Sequence, residues 1–390
     1  MASLVNANYS DSAIRFSHIH GNMAGIIYFA QKCFLNPYSI GIILVYCIRI
    51  FAVTICILFF QGCYLLKQGF YIIRYNSKAQ SIDKMLGNSH ISQNTKDFLL
   101  LVKEIRSYAF DSLGLIENDN YTRYVEIDKD YLVDVVSASD ELAFNQHTWC
   151  YPFFGCFPYK GYFERKDAEK QASKLSRKGL DTYIGRVDAF STLGFFKDPI
   201  YSFMEEYSVF GIASLIFHEQ THATVFLKNR IQFNEELATF IGTEGALRFI
   251  RMKYGDGSDA YRNAILAIED SDTYMMLMRR LYKRLAKLYK SNVPDDKKRE
   301  EKQKIIQNCK NEIMEKYNQF FKTDLYSAIG KAQINNAVLA IRMTYTLDLD
   351  IYYELYELYD RDLKKMMDFF KTLEKCRNDP KEIIRAKLKE

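Results

Sequence analysis

Histidine is scarce in this chain, with six in 390 residues. No CxxC pair occurs among the eight cysteines, which excludes a thiolate zinc site. An excess of one charge sign is missing too: 53 Lys and Arg face 48 Asp and Glu, a net charge of +5 spread along the chain. That balance lacks the basic footprint of a nucleic-acid-binding protein. What is present is 48% apolar residues, enough at this length to bury a large core in one domain or two.

Two of the six histidines fall together in LIFHEQTHATVFLKNRIQFNEELATFIGTEGAL, Leu215 to Leu247. Within HEQTH, His218 and His222 stand at i and i+4, so on a helix they share a face and can grip one Zn²⁺ while Glu219 points at a metal-bound water. The plain alternative is two histidines on an ordinary buried helix. A third ligand must leave one position open. The extended form HExxHxxGxxH is excluded, because Val225 stands at the glycine position and Lys228 at the third histidine. A carboxylate is therefore expected, and Asn234-Glu235-Glu236-Leu237-Ala238 offers one after a polar turn, Lys228 to Gln232, that lets the next helix fold back. Glu235 is the expected ligand; Glu236, about 100° further around the helix, is the alternative. Water in the open position would be acidified by the ion, and Glu219 would take its proton and pass it to the leaving amine of a peptide.

The N-terminal extension, residues 1–37, carries no evident chemistry. From Ile40 to Leu66 the chain is apolar, with Arg49 as its only charge, and is long enough to span a bilayer. A second reading of segment 38–66 takes Arg49 as a positive flank and Ile50 to Phe60 as a signal-peptide core. Gly62 and Cys63 would then end it, as in a bacterial lipoprotein signal with Cys63 as the lipidated residue. A buried core helix is the third reading, and the length argues against it.

Helices are expected over Tyr64 to Leu86, Thr95 to Phe110 and Lys166 to Lys178, and strands over Tyr121 to Ile127, Tyr131 to Ser139 and Asp181 to Phe190. Trp149 to Phe163, rich in rings, prolines and glycines, reads as a turn-rich wall. Its Cys150 and Cys156 are either a disulfide of an oxidising compartment or two free thiols. Ser191, Thr192, Leu193 and Gly194, running on to Phe195, form the candidate edge against which an extended substrate would pair. The HEQTH helix is expected over Phe203 to Leu227. Beyond Gly245 nearly everything reads as helix, including a densely charged stretch from Asp295 to Lys322 that is a solvated helix or the edge of a helical hairpin. In YYELYELYD, Tyr352, Tyr353, Tyr356 and Tyr359 read as core. The fold class is α+β, mostly α-helical. A small mixed sheet packs on a zincin-type metal helix within residues 67–255, and a helical region follows over 256–390.

A developing oxyanion needs a donor; Tyr345 and His147 are the candidates. Capture of a free α-amine needs carboxylates, and Glu205, Glu206 and Glu244 are near in sequence but read as exposed helix residues.

HEQTH followed by NEELA is similar to the gluzincin peptidases, in which the glutamate of an N-E-x-x-A segment is the third zinc ligand. More narrowly, GCFPYKGYF (Gly155 to Phe163), AFSTLGFFKDP (Ala189 to Pro199), LIFHEQTH (Leu215 to His222), FNEELATFIG (Phe233 to Gly242) and INNAVLA (Ile334 to Ala340) resemble the ordered blocks of a bacterial family of putative zinc aminopeptidases. The likeness covers about Cys63 to the C-terminus and departs at Ala223, where the family usually has Gln. It implies a membrane-anchored zinc metallopeptidase with one Zn²⁺, acting on peptide or protein substrates as an aminopeptidase. The N-terminal anchor would place it in the bacterial cell envelope, outside the cytoplasm. A zinc endopeptidase of the same fold, and a non-catalytic helical membrane protein, are the competing readings.

Overall fold

The computed structural model describes residues 64, 66–151, 155–188, 197–344, 348–374, 376 and 378–390. The chain divides into two units, Met1–Gly69 and Phe70–Glu390, and the second holds nearly all of the described residues.

In chain order the elements are α1 (66–78), β1 (Gln80–Ser81), α2 (Ile82–Leu86), α3 (Gln93–Asp111), β2 (Arg123–Val125), β3 (Val133–Asp140), β4 (Trp149–Tyr151), β5 (Gly155–Phe157), β6 (Tyr159–Tyr162), α4 (Arg165–Ser176), β7 (Leu180–Val187) and β8 (Ile200–Tyr201). A 3₁₀ turn (Ser202–Glu206) then leads into α5 (Val209–Thr224) and α6 (Ile231–Tyr254). The remainder is α7 (Asp259–Tyr289), α8 (Asp295–Glu315), α9 (Tyr317–Phe320), α10 (Asn336–Thr344), α11 (Asp350–Leu358), α12 (Leu363–Leu373) and α13 (Pro380–Lys387). This is a mostly helical α+β fold. Among the described residues no helix is long and apolar enough to cross a membrane.

The β structure is divided more finely than the sequence suggests. β2 lies between β1, antiparallel, and β8, parallel; β3 lies between β6 and β7, both antiparallel. The described part of Trp149 to Phe163 is not irregular: β4 pairs antiparallel with β5, with Cys150 directly opposite Cys156, and the two are disulfide-bonded. Gly155 and Gly161 lie within β5 and β6, and Pro158 stands between them, so composition hides three short strands, because pairing needs only a few residues of alternating pattern on each side.

α5 begins where the Ser208 hydroxyl caps the Gly211 N–H at 3.1 Å. It buries Ile212, Ala213, Ile216, Phe217, Gln220 and Thr221, a stripe at helical spacing. The chain leaves it at Val225, turns with Asn229 in the left-handed region (φ 62°), and returns as α6. Asparagine tolerates that conformation better than most residues. α6 is covered on several sides: Phe233, Leu237, Ala238, Phe240, Ile241, Ala246, Phe249 and Ile250 are all buried. One core joins α3, β2, β8, α5 and α6 with Tyr352, Leu355, Met366, Met367 and Phe370 of the C-terminal helices.

A second, smaller core forms between α7 and α8. The charged stretch from Asp295 is therefore not simply solvated. Ile306, Cys309 and Ile313 make an apolar seam, and Lys302, 1% exposed, places its Nζ 2.5 Å from Asp181 Oδ2 and 2.9 Å from the Glu141 carbonyl. One apolar residue every three or four is enough to bury a helix whose other faces are charged. Of the tyrosines at 352 to 359, Tyr352 and Tyr356 are core as expected, while Tyr353 is 41% exposed.

Two glycines set the approach of α5 to α6. A Cβ on Gly242 would lie 2.9 Å from the Ser214 carbonyl oxygen and 3.3 Å from His218 Cβ; one on Gly245 would lie 2.8 Å from Leu113 and 3.0 Å from Phe217. The obstacle at Gly242 is backbone and cannot rotate away. Gly242→Ala should therefore destabilise the protein by about 1–3 kcal/mol, although alanine gains about 1 kcal/mol in helix propensity. Urea denaturation measures the difference, and stability equal to or above that of the wild type would count against this packing.

Candidate metal centre

Helical spacing stacks His218 and His222 one turn apart on α5, their Nε2 atoms 3.2 Å from each other. α6 returns so that its N-terminal part faces them: Glu235 Oε2 lies 3.6 Å from His218 Nε2, and Glu235 Oε1 lies 3.6 Å from His222 Nε2. Donors placed tetrahedrally about 2.0–2.1 Å from one ion stand about 3.3–3.4 Å apart. The closest approaches, in which each histidine meets a different oxygen of Glu235, bracket that value. All three donor atoms fall within 4.8 Å of one another, and among the described residues this is the group of three or more such side chains able to hold a metal ion.

Electrostatics suit the same use. Burial, then the neighbouring His218, push His222 down to about 4, with Glu235 opposing, so the ring is neutral near pH 7 and its lone pair is available to a metal. Burial works to raise the Glu235 carboxyl, but its interactions with His218 and His222 outweigh that and hold it below the usual carboxylate range. It is an anion.

The return of α6 is held by Asn234, which is buried. Its Oδ1 accepts from the Leu227 N–H at 3.0 Å and its Nδ2 donates to the Leu227 carbonyl at 2.9 Å. This two-point clasp satisfies both backbone groups of a residue in the crossover, and it fixes the residue next to Glu235. Glu236 points elsewhere, into a buried contact with Lys381 at 2.8 Å. Of the two glutamates, Glu235 is the one brought to the histidines.

Glu219 sits between the histidines in sequence and is half-buried, with its Oε2 shielded from solvent and meeting no hydrogen-bond partner among the described residues. Burial raises its carboxyl to about 7; the charge of His218 opposes this, and those of Asp198 and Glu235 add to it. Next to it, Gln220 and Asn118 exchange amide hydrogen bonds of 2.9 and 3.0 Å. Arg106 holds that loop through the carbonyls of Asn118 and Asn120 at 2.7 and 2.8 Å. The loop ends at Tyr121, a buried residue in the left-handed region (φ 58°) whose N–H donates to the Asp198 carbonyl at 2.6 Å. Burial, then the charges of Glu219 and Asp198, raise the Tyr121 phenol well above its ordinary value. Tyr121 and Asp198 therefore belong to the surroundings of Glu219. The spacing of the motif contains no signal for either.

His222 Nδ1 is buried without a hydrogen-bond partner among the described residues. A ligating histidine usually donates that N–H to a carbonyl or carboxylate, so the support of this ring differs from the common pattern. His147 packs its ring edge-on against Trp149 and donates its backbone N–H to Ala138 in β3. Glu205 is not an exposed helix residue, since it accepts from Tyr124 Oη at 2.6 Å and Thr95 Oγ1 at 3.1 Å. Glu244 is half-buried and accepts from Tyr353 Oη at 3.2 Å. Only Glu206 is exposed. Cys63, Ser191, Thr192, Leu193, Gly194 and Tyr345 lie outside the described residues.

The INNAVLA segment is structural where it can be described. Asn336 is fully buried, its Nδ2 reaching the carbonyls of Asp140, Glu141 and Ala143 while its N–H donates to Asp181. Asn335 Nδ2 donates to the Thr182 carbonyl at 2.8 Å. Together they tie α10 to β3 and β7.

The residues present fit a single divalent ion: two imidazoles and a carboxylate converge, with an unpartnered buried carboxylate oxygen beside them. No curated protein and no solved structure matches the chain. A family model described as putative aminopeptidase matches residues 63–384, and the chain belongs to that putative aminopeptidase family.

Proposed function

We propose that this protein is a zinc-dependent peptidase, an aminopeptidase, anchored to the membrane of the bacterial cell envelope through its N-terminal segment and acting outside the cytoplasm. The observation that carries this is the convergence of His218, His222 and Glu235 at the separations of a tetrahedral donor set. Membership of the family supports peptide hydrolysis and free-amine specificity.

In this reading the two imidazoles and the Glu235 carboxylate hold one Zn²⁺. When bound, the ion acidifies water and polarises a carbonyl. Glu219 supplies the general base: its buried Oε2 has no competing protein donor among the described residues and is free to take a proton from the attacking water. A carboxyl raised towards 7 by burial can keep that proton and then hand it to the nitrogen of the leaving amine. Asn118, paired with Gln220, keeps the Glu219 segment of α5 in register with the loop that ends at Tyr121.

The Cys150–Cys156 disulfide supports an oxidising compartment. The family match begins at Cys63, which supports lipidation of that cysteine over an uncleaved span.

Glu219→Gln should lower kcat by at least about 100-fold with zinc content unchanged, measured on the full-length protein in detergent; full turnover by this variant would exclude Glu219 as the base. Chelation should abolish peptide cleavage, and adding back one equivalent of Zn²⁺ should restore it. Activity indifferent to chelators would rule out the zinc reading. A peptide with a free α-amine should be cleaved and its N-acetylated counterpart spared. Equal rates on the two would assign an endopeptidase.

A further inference from the structure

Two adjacent carboxylates open α6, and helix geometry sends them about 100° apart. Glu235 faces the histidines. Glu236 is 0% exposed, and a carboxylate so deep needs its charge balanced and its lone pairs filled. Four donors do this. Lys381 Nζ lies 2.8 Å from Oε2, and Tyr352 Oη donates to Oε2 at 3.2 Å; Gln232 Nε2 and the Asp348 N–H donate to Oε1 at 2.9 and 3.3 Å. Of these only Lys381 carries charge.

Lys381 lies in the first turn of α13, where Asp379 caps its N–H at 2.9 Å. Two more contacts tie the same C-terminal segment to the crossover before Glu235. Glu374 Oε1 accepts from the Phe226 N–H at 3.1 Å, and Asp379 lies 3.8 Å from Arg230. Three successive points of the α5–α6 crossover are thus gripped from the C-terminus: its start, its turn and the N-terminal part of α6.

We propose that Lys381 is a positioning residue for the metal centre: by holding Glu236, it fixes the rotation of α6 at which Glu235 meets the two histidines. This rests on the reading of His218, His222 and Glu235 as zinc ligands. Without the lysine, the anion of Glu236 is buried one residue from a ligand, with no cation of its own. It then competes for the dication, and α6 turns towards a geometry in which neither glutamate is well placed.

The test is Zn²⁺ affinity of the full-length protein by chelator competition, with the visible spectrum of the Co²⁺ form as a reporter of the ligand set. Lys381→Met should weaken Zn²⁺ binding by about 10-fold or more and change the Co²⁺ spectrum. Lys381→Arg, which keeps the cation, should stay within about threefold of the wild type, and Lys381→Met combined with Glu236→Gln, which removes the competing anion, should recover most of the loss. A Lys381→Met protein of lower stability but unchanged Zn²⁺ affinity and Co²⁺ spectrum would make the lysine merely structural and overturn the proposal. So would a double variant as weak as the single one. If Lys381→Met does not fold, Tyr352→Phe takes its place: it removes one donor from Glu236 without changing charge. A severalfold loss of affinity supports the proposal, and no loss overturns it. Failure of the wild type itself to bind Zn²⁺ would instead overturn the zinc reading, and this inference with it.

Discussion

The centre of this structure depends on how closely two antiparallel helices approach each other. α5 brings two imidazoles and α6 one carboxylate, and their donor atoms converge only because Gly242 lets the helices touch backbone to side chain at His218. Gly242 follows Glu235 by two helical turns and so lies on the same face. The contact that admits the helix is therefore aligned with the residue it delivers. Asn234 closes the other end by clasping Leu227. A glycine contact and an asparagine clasp bracket the face of α6 that carries Glu235, and the Glu236–Lys381 contact holds the helix beside it.

That arrangement puts several polar groups into an apolar core, where each must be balanced. Glu236 is balanced by Lys381. Asn234 uses both ends of its amide on the backbone of Leu227, and Gln220 uses both ends of its own on Asn118. Glu219 Oε2 is the exception within the motif's carboxylates, buried without a partner among the described residues. An unsatisfied buried acceptor is tolerated where chemistry uses it, and this one adjoins the three converging donors. The second core, between α7 and α8, follows the same logic at a distance from the site: Lys302 is buried because Asp181 and a carbonyl receive it.

Much of the centre was legible in the chain because its information is local. HEQTH encodes a shared helix face by spacing alone, and the loss of a third histidine at Lys228 pointed to a carboxylate in NEELA. The sequence favoured Glu235 over Glu236 but did not show what holds Glu236 away. What separates them is Lys381, far along the chain, and no pattern near α6 announces it. Asn118 is likewise remote from Gln220, and Tyr121 takes its place by a left-handed backbone that composition does not signal. The fold was legible at the level of class. It departs from the sequence reading where short strands hide among prolines and rings, as in Trp149 to Phe163. In the charged helix α8, expected as a solvated helix or hairpin edge, the sparse apolar seam is what the pattern does not announce, because burial is decided by the partner across the contact and a single chain shows only one side of it.

The most direct test of the central claim is a crystal structure of the zinc-loaded protein with anomalous data at the zinc edge. One strong peak is predicted, bounded by His218 Nε2, His222 Nε2 and a Glu235 carboxylate oxygen at about 2.0–2.2 Å, with Glu236 still turned to Lys381. A peak elsewhere, no peak, or a site in which Glu236 replaces Glu235 would contradict the account.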